Sequence, residues 1–326
     1  KMAFINDGLR RSIEDSIKTF REEVGCKNAG LVVDDGTEIL RHNSDYRGSS
    51  ASLIKLVYAA ASCQKLLETG QSPENVLIGV DPKLLSGSPG SMLQLEAGRA
   101  TLIELLENMV SHSCNDSANH IVDYLTHEYV NRFAAGTGLP NTASKALFER
   151  HPDFGEGNVA DGVYAGNSTS ADDVHRILKR IFHDGLYNTE HPNYLKLDPH
   201  RNIRVLLEEC SRSRGFPHPL GVELTENGFV PVLPHEGLWV GQKFGIQFHD
   251  LGACGYFYPI RGGGMQQAYF ISVLINGFGD PLKDYRRRGT DTLRKAVAFV
   301  SGLSKMVYER FSEAQIGAQG VLVGSR

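Results

Sequence analysis

Ser52 and Lys55 stand three residues apart where a few small polar residues pass into an apolar, alanine-rich run that stops near Gly70. That change of composition is typical of a helix N-terminus, and helix residues i and i+3 share one face. The positive end of the helix dipole and burial among apolar neighbours both disfavour the charged form of such a lysine. We therefore predict a helix that begins with a hydroxyl beside a neutral amine able to accept its proton.

The Ser-x-x-Lys spacing is weak evidence when taken alone, because it occurs again at Ser62 and Lys65. Ser62 lies in the middle of the same predicted helix, where a nucleophile would have no reason to be exposed. We interpret the second match as structural, and the first needs support from elsewhere in the chain.

A polar segment downstream supplies part of that support. Residues 111–119 follow a helix that opens with the capping box Thr101–Glu104 and precede an amphipathic helix predicted from Ala118 to about Val130. The segment reads as a polar loop between two helices, and it contains Ser113 and Asn115.

A predicted strand in the C-terminal third of the chain supplies further support for the Ser52 motif. The run 238–246 is typical of a buried strand, yet it contains the charged residue Lys243. Two residues later, Gly245 has no side chain. A glycine inside a strand marks a place where a ligand or another backbone approaches closely.

With these three segments in order, the chain resembles the penicillin-recognising serine enzymes, most closely the class A β-lactamase-like family. The family motifs Ser-x-x-Lys, Ser-Asp-Asn and Lys-Thr-Gly correspond to residues 52–55, 113–115 and 243–245. The segment 167–173 resembles the end of the loop that borders the family's active site, and 249–252 resembles its next hairpin. The likeness extends over nearly the whole chain.

The resemblance implies a role for each matched residue in acyl transfer. Ser52 would be the nucleophile and Lys55 its base, while Ser113, assisted by the charge of Lys243, would pass a proton to the leaving group. Asn115 would hold the acyl amide of the substrate.

The resemblance also implies the groups that line the substrate site along the strand. The backbone N–H groups of Ser52 and Ile246 would form the oxyanion hole, beside Gly245. Phe244 stands where the family has threonine or serine, so it has no hydroxyl for a substrate carboxylate and adds bulk at that position. Cys114 replaces the family's aspartate.

The base that deacylates the family's acyl-enzyme has no clear counterpart. Class A β-lactamases use a glutamate, followed four positions later by asparagine, and the stretch 148–158 contains no such pair. Glu149 and Glu156 are candidates by position, and for each the alternative is a solvated loop carboxylate. Without such a base, an acyl-enzyme would turn over slowly or pass its acyl group to another nucleophile.

The pattern of elements predicts an α/β (α+β) fold of the β-lactamase/transpeptidase-like type. We expect an antiparallel sheet flanked by terminal helices, plus a helical subdomain, with the site in the groove between them. Residues 1–326 would form a single domain, with a sheet subdomain at about 1–48 and 235–326 and a helical subdomain at about 49–234. The terminal helices are predicted at about 6–24 and 290–311.

Charge and amino-acid composition limit the kinds of molecule that this chain is expected to bind. A net charge of −4 and a pI near 6.3 argue against nucleic acid or an anionic membrane as the main partner, so we expect a small-molecule or peptide substrate. Five scattered cysteines and no paired-histidine motif predict no disulfide framework, no metal site and no cofactor. With no apolar run near 18 residues we expect no membrane span. The thiol pattern favours the cytoplasm, the alternative being export with a removed signal peptide.

Three functions are compatible with the sequence. The first is a serine hydrolase or acyltransferase that works through a Ser52 acyl-enzyme on an amide, ester or thioester. The second is a genuine β-lactamase or DD-peptidase that tolerates Phe244. The third is a non-catalytic ligand-binding homologue that has kept the groove and lost turnover.

Overall fold

The computed structural model describes residues 3–86, 98–148, 159–160, 163–164, 166–187, 206–207, 222–225, 228–231, 238–247, 249–259, 268–278 and 290–323. Within them the fold is mixed α/β. The helices are α1 (Asp7–Val24), α2 (Ile54–Thr69), α3 (Leu102–Ser111), α4 (Asn115–Leu125), α5 (His127–Gly136), α6 (Ala171–Tyr187) and α7 (Thr290–Val323), with 3₁₀ turns at Ala51–Leu53 and Pro82–Leu84.

The described strands, in chain order, are β1 (Asn28–Asp34), β2 (Ile39–His42), β3 (Gly48–Ser49), β4 (Leu77–Gly79), β5 (Arg99–Thr101), β6 (Val159–Ala160), β7 (Val163–Tyr164), β8 (Ser168–Thr169), β9 (Val222–Thr225), β10 (Gly228–Pro231), β11 (Leu238–Gln247), β12 (Asp250–Pro259) and β13 (Tyr269–Asn276). Five of them form the main sheet, which is antiparallel throughout and has the spatial order β11-β12-β13-β1-β2. The remaining strands form two-stranded pairs: β3 with β8, β4 with β5, β6 with β7, and β9 with β10.

The sheet separates two hydrophobic cores, because successive strand side chains point to opposite faces. On β12, Cys254 and Tyr256 belong to the first core, which α2 to α6 cover, while Ala253 and Phe257 belong to the second. The second core lies between the sheet and helices α1 and α7. The central strands β1 and β13 are therefore buried along their whole length, and their sequences are almost continuous apolar runs.

The terminal helices α1 and α7 contact each other, although 265 residues (25–289) separate them in sequence. Asn6 caps α1 by accepting a hydrogen bond from the N–H of Leu9, and Gly25 ends the helix at φ +66°. The helix α7 extends from Thr290 to Val323, beyond the predicted end near residue 311.

The prediction of one helix from Ala118 to about Val130 was wrong. The chain forms α4 and α5 with a break at Thr126, whose φ is +71° and whose side chain accepts a hydrogen bond from the N–H of Tyr129. The polar loop is also shorter than the predicted 111–119, because α4 already begins at Asn115. Thr126 thus ends one helix and caps the next, a local role that apolar periodicity does not reveal.

The β9–β10 hairpin forms a two-stranded sheet separate from the main sheet. None of the described helices has both the length and the apolar character needed to cross a bilayer.

Candidate active site

Ser52 lies in the 3₁₀ turn that leads into α2, not in the helix itself. The preceding Ala51 has φ +42°, a left-handed conformation that is uncommon and strained for an alanine. The N–H of Ser50 donates to the carbonyl of Asn167 at 3.1 Å. Contacts from other parts of the chain therefore hold a turn that local preference would not adopt.

Lys55 is fully buried one turn later, and its Nζ faces a cluster of oxygen atoms. It lies 3.1 Å from Ser52 Oγ, as the i, i+3 spacing predicts. It also lies 2.6 Å from the carbonyl oxygen of Ser113, 2.6 Å from Oδ1 of Asn115 and 3.4 Å from Ser113 Oγ. The first two motifs of the sequence therefore meet at one amine.

The turn between α3 and α4 brings Ser113 and Asn115 to this amine. Ser113 has φ +57°, and the N–H of Cys114 turns back to donate to the carbonyl of Asn108 at 3.0 Å. A glycine would adopt this conformation without strain, so the serine is retained at a conformational cost. The result is a sharp reversal that directs both the Ser113 carbonyl and the Asn115 side chain at Lys55.

The strand β11 supplies the third motif at the edge of the described sheet. Lys243 is fully buried, and its Nζ donates to the carbonyl of Phe244 at 3.2 Å. A Cβ at Gly245 would overlap the amide nitrogen of Ser52 and would lie 3.0 Å from the Cβ of Ala51. The backbone that approaches this strand glycine is therefore the turn that carries Ser52.

The side chains of Phe244 and Ile246 are half-buried and pack against the second core. The ring centroid of Phe244 lies 5.4 Å from Lys243 Nζ. The Phe244 ring, which the sequence predicted to add bulk in the groove, therefore packs partly against the sheet face that α1 and α7 cover.

The second Ser-x-x-Lys match has a different environment. Ser62 is fully buried, and its hydroxyl donates to the carbonyl of Tyr58, one turn earlier in α2. Lys65 donates to the carbonyl of Tyr124 at 2.8 Å, and its Nζ lies 4.1 Å from the centre of that ring. These contacts are structural.

Glu149 and Glu156, the candidate deacylation bases, lie outside the described residues. The last described residue before them is Phe148, and its ring centroid lies 4.4 Å from Lys55 Nζ. The ring is half-buried against the first core.

Phe148 ends an irregular segment, residues 144–148, that we call the strap. Three asparagine side chains hold its backbone. Asn131 binds both the N–H and the carbonyl of Ser144, Asn167 binds the backbone of residues 145 and 146, and Asn119 binds both the N–H and the carbonyl of Phe148. Sequence reasoning did not identify these three residues as part of the site. The signal in the sequence was weak: asparagine is a poor helix former, and Asn119 and Asn131 both occur inside helices.

The described cysteines Cys26, Cys63, Cys114 and Cys254 are buried, and none is in a disulfide. Burial raises the pKa of the Cys26 thiol to about 11. Cys210 lies outside the described residues. In the described part of the chain, no three His, Cys, Asp or Glu side chains come together in a group that could hold a metal ion.

The sequence matches the model of the β-lactamase enzyme family over residues 8–199. The chain belongs to this family. The matched range contains Ser52, Lys55, Ser113 and Asn115, whereas Lys243 follows it. No curated protein matches the sequence.

Solved structures of β-lactamase-like proteins share the fold at low identity. A β-lactamase from Sphaerobacter thermophilus is 16% identical with a TM-score of 0.67, over 92% of this chain and 97% of that chain. A variant of PBP-A in an acyl-enzyme complex with penicillin G is 20% identical with a TM-score of 0.64, over 92% and 97%. A variant of the class A β-lactamase of the last common ancestor of Gram-negative bacteria is 16% identical with a TM-score of 0.68, over 92% and 98%.

Together, family membership and fold identify a β-lactamase-like serine hydrolase. Within this β-lactamase family member, Cys114 occupies the middle of the Ser-x-Asn motif as a buried residue at the N-cap of α4. Its neighbour Asp116 is fully buried and accepts hydrogen bonds from both the N–H and the hydroxyl of Ser86. This carboxylate ties α4 to the segment that follows the second 3₁₀ turn.

Proposed function

We propose that this protein is a serine hydrolase or acyltransferase that forms an acyl-enzyme on Ser52 from an amide, ester or thioester. The observation that carries the proposal is the approach of Lys55 Nζ to Ser52 Oγ at 3.1 Å, inside a cluster that buries the amine. A general base must lie within hydrogen-bonding distance of the proton it takes, and this distance meets that requirement.

The other contacts of Lys55 support its use as a base. The Ser113 carbonyl and Asn115 Oδ1 accept hydrogen bonds, so each of these 2.6 Å contacts uses one N–H of the lysine. A neutral amine has two N–H bonds and one lone pair, which leaves the lone pair for the Ser52 hydroxyl. After proton transfer, the same site can hold the ammonium form with its third N–H facing Ser52.

The acylation step follows from these positions. Ser52 Oγ attacks the substrate carbonyl carbon while its proton moves to Lys55, and the N–H groups of Ser52 and Ile246 would stabilise the oxyanion. The bond to the leaving nitrogen, oxygen or sulfur then breaks, and the leaving group takes a proton relayed through the Ser113 hydroxyl, 3.4 Å from Lys55 Nζ. Lys243 would favour the developing negative charge, and Asn115 would position the acyl amide.

A β-lactamase or DD-peptidase activity is the second candidate, and two observations favour it. Phe244 packs partly against the second core, which lessens the obstruction expected from its ring. A PBP-A variant of the same fold forms an acyl-enzyme with penicillin G. Phe244 still has no hydroxyl to bind a substrate carboxylate, so we rank this activity below the broader one.

Intact-protein mass spectrometry tests the proposal. The wild-type protein and the Ser52→Ala and Lys55→Met variants are exposed to a penicillin, nitrocefin and p-nitrophenyl acetate, and adducts are followed over time. We expect a wild-type adduct that Ser52→Ala abolishes and that Lys55→Met slows by about 100-fold or more, the usual contribution of a general base. Lys65→Met is the matched control, since it removes the lysine of the other Ser-x-x-Lys match in the same helix.

The pattern of adducts separates the three functions. Labelling by the activated ester alone supports an acyl-enzyme that does not use β-lactams, whereas turnover of penicillin or nitrocefin supports the second candidate. Equal labelling of wild type and Ser52→Ala, or no Ser52 adduct with any probe, would reject a serine acyl-enzyme and leave a binding protein.

A further inference from the structure

We propose that Phe148 is a positioning residue that keeps hydrolytic water away from the Lys55 side of the acyl-enzyme, so that the acyl group persists until another acceptor enters. This inference rests on the proposed function. The juxtaposition that carries it is the Phe148 ring 4.4 Å from Lys55 Nζ, which itself lies 3.1 Å from Ser52 Oγ.

The ring lacks what a hydrolytic water needs. An ordered water requires space and two to four polar partners, and a water that attacks an ester requires a base within hydrogen-bonding distance. A phenyl ring supplies neither a carboxylate nor a comparable acceptor, and its centroid lies 4.4 Å from Lys55 Nζ. Its face does attract a cation, so it stabilises Lys55 when the lysine carries the proton taken from Ser52.

The backbone of Phe148 is fixed relative to Lys55. Asn119 accepts a hydrogen bond from the Phe148 N–H at 2.6 Å and donates to the Phe148 carbonyl at 2.7 Å. Asn119 lies one turn beyond Asn115 in α4, and residues i and i+4 share a helix face. One rigid helix therefore holds both Asn115, which contacts Lys55, and the residue that places the ring.

The backbone of the rest of the strap is also held by hydrogen bonds. Asn167 holds residues 145 and 146, and its own carbonyl accepts a hydrogen bond from the N–H of Ser50, two residues before the nucleophile. Asn131 holds Ser144 at the other end. The strap and the Ser52 turn are thus tied to each other as well as to α4.

The consequence concerns the second half of the reaction. Release of the acyl group requires a nucleophile to attack the ester carbonyl, with cleavage of the bond to Ser52 Oγ and return of a proton to that oxygen. When water is excluded on the Lys55 side, an amine or alcohol that enters from the groove is favoured over hydrolysis. Phe148 would thereby bias the enzyme towards acyl transfer.

The test measures the fate of the Ser52 adduct formed by p-nitrophenyl acetate, in buffer and with added hydroxylamine. Phe148→Ala should accelerate hydrolysis of the adduct at least about tenfold, because it opens space for water beside a base. Acylation and attack by hydroxylamine should change much less. Leu147→Ala is the matched control, since Leu147 is the adjacent half-buried residue packed against the same core.

A second pair of variants keeps the test decisive if Phe148→Ala folds poorly. Asn119→Ala releases the backbone of Phe148 and should also accelerate hydrolysis. Asn131→Ala removes the equivalent clamp at Ser144, four residues before the ring, and should change the lifetime of the adduct much less than Asn119→Ala does. Only folded protein forms the Ser52 adduct. The decay rate of the adduct is therefore a property of the folded molecules, even when part of a variant is unfolded.

Two outcomes would overturn the inference while leaving the proposed function intact. The first is a stable adduct whose hydrolysis is the same in wild type, Phe148→Ala and Asn119→Ala. The second is a wild-type adduct that decays rapidly, is slowed by Glu149→Gln and is unaffected by Phe148→Ala. Absence of any Ser52 adduct would instead reject the proposed function, and this inference with it.

Discussion

At the scale of single residues, the site depends on two residues with an uncommon backbone conformation and on one glycine. Ala51 and Ser113 both have positive φ values, although neither is glycine. Such conformations cost about 1–3 kcal/mol each and persist only where the surroundings impose them. Here the surroundings include the backbone of Gly245, which packs against the Ser52 turn.

Gly245→Ala tests that close approach. The added Cβ would overlap the Ser52 amide nitrogen, and a displacement of about 1 Å at a nucleophile can cost about 100-fold in rate. We expect acylation of Ser52 by p-nitrophenyl acetate to fall by about that factor.

Gly302→Ala is the control for that experiment. A Cβ at Gly302, in α7, would meet no atom within 4 Å, so this substitution should raise the free energy of unfolding by roughly 0.5–1 kcal/mol and leave acylation unchanged. Normal labelling of Gly245→Ala would mean that the strand does not constrain the nucleophile.

At the scale of elements, buried polar side chains join strands and helices that are distant in sequence. Asp34, at the end of β1, accepts hydrogen bonds from His175 Nε2 at 3.1 Å and Lys179 Nζ at 2.6 Å, both on α6. Burial alone would raise the pKa of Asp34, but these two partners, with the N–H of Gly36, hold it well below its usual range. The ionised carboxylate thus fastens α6 to the sheet.

The lowered pKa of Asp34 predicts how stability depends on pH. The unfolded chain binds more protons than the folded one between the two pKa values, so the free energy of unfolding rises with pH there. The stabilisation is complete above the unfolded-state pKa of about 3.9 and is lost as the pH falls through that value towards the folded-state pKa.

Urea unfolding between pH 3 and pH 7 measures this contribution. Asp34→Asn should destabilise the protein at pH 7 and flatten the pH dependence in the acid range. Asp45→Asn, which removes an exposed carboxylate, is the control and should follow the wild type. Parallel profiles for wild type and Asp34→Asn would show that the carboxylate is not linked to folding.

At the scale of the whole molecule, the sheet has a separate hydrophobic core on each face. The groove elements that hold the Ser52 cluster pack on one face, and the terminal helices cover the other. Phe311 on α7 is almost fully buried, with ring centroids 5.8 Å from Phe4 and 4.7 Å from Tyr269. Both ends of the chain therefore meet in one aromatic cluster.

Phe311→Ala tests whether this second core supports the fold without shaping the chemistry. Loss of a buried phenyl ring costs about 3–5 kcal/mol, and we expect that loss in urea unfolding, with the acylation rate of the folded protein unchanged. Phe299→Ala, which removes a half-buried ring from the same helix, should cost less. A slower acylation in folded Phe311→Ala would instead couple the second core to the site.

Much of the fold could be predicted from local patterns. The first helix, the Thr101 capping box and the strand at 238–246 lie where periodicity and capping place them, because those signals are written in neighbouring residues. The break at Thr126 was missed, since a single residue that caps one helix and ends another disturbs the apolar pattern very little. The end of α7 was missed because Gly317 and Gly320, which are poor helix formers, lie in the added turns.

The sequence by itself determined the spacing of Ser52 and Lys55, because three residues along a helical turn fix which side chains are neighbours. It also determined the family and the order of the motifs. Only the tertiary structure decided that the Ser113 carbonyl and Asn115 reach the same amine, that the approach to Gly245 comes from the Ser52 turn, and that the Phe148 ring lies beside Lys55. Those contacts join segments that are far apart in the chain, and their geometry is set by the packing of helices and sheet, which no local pattern encodes.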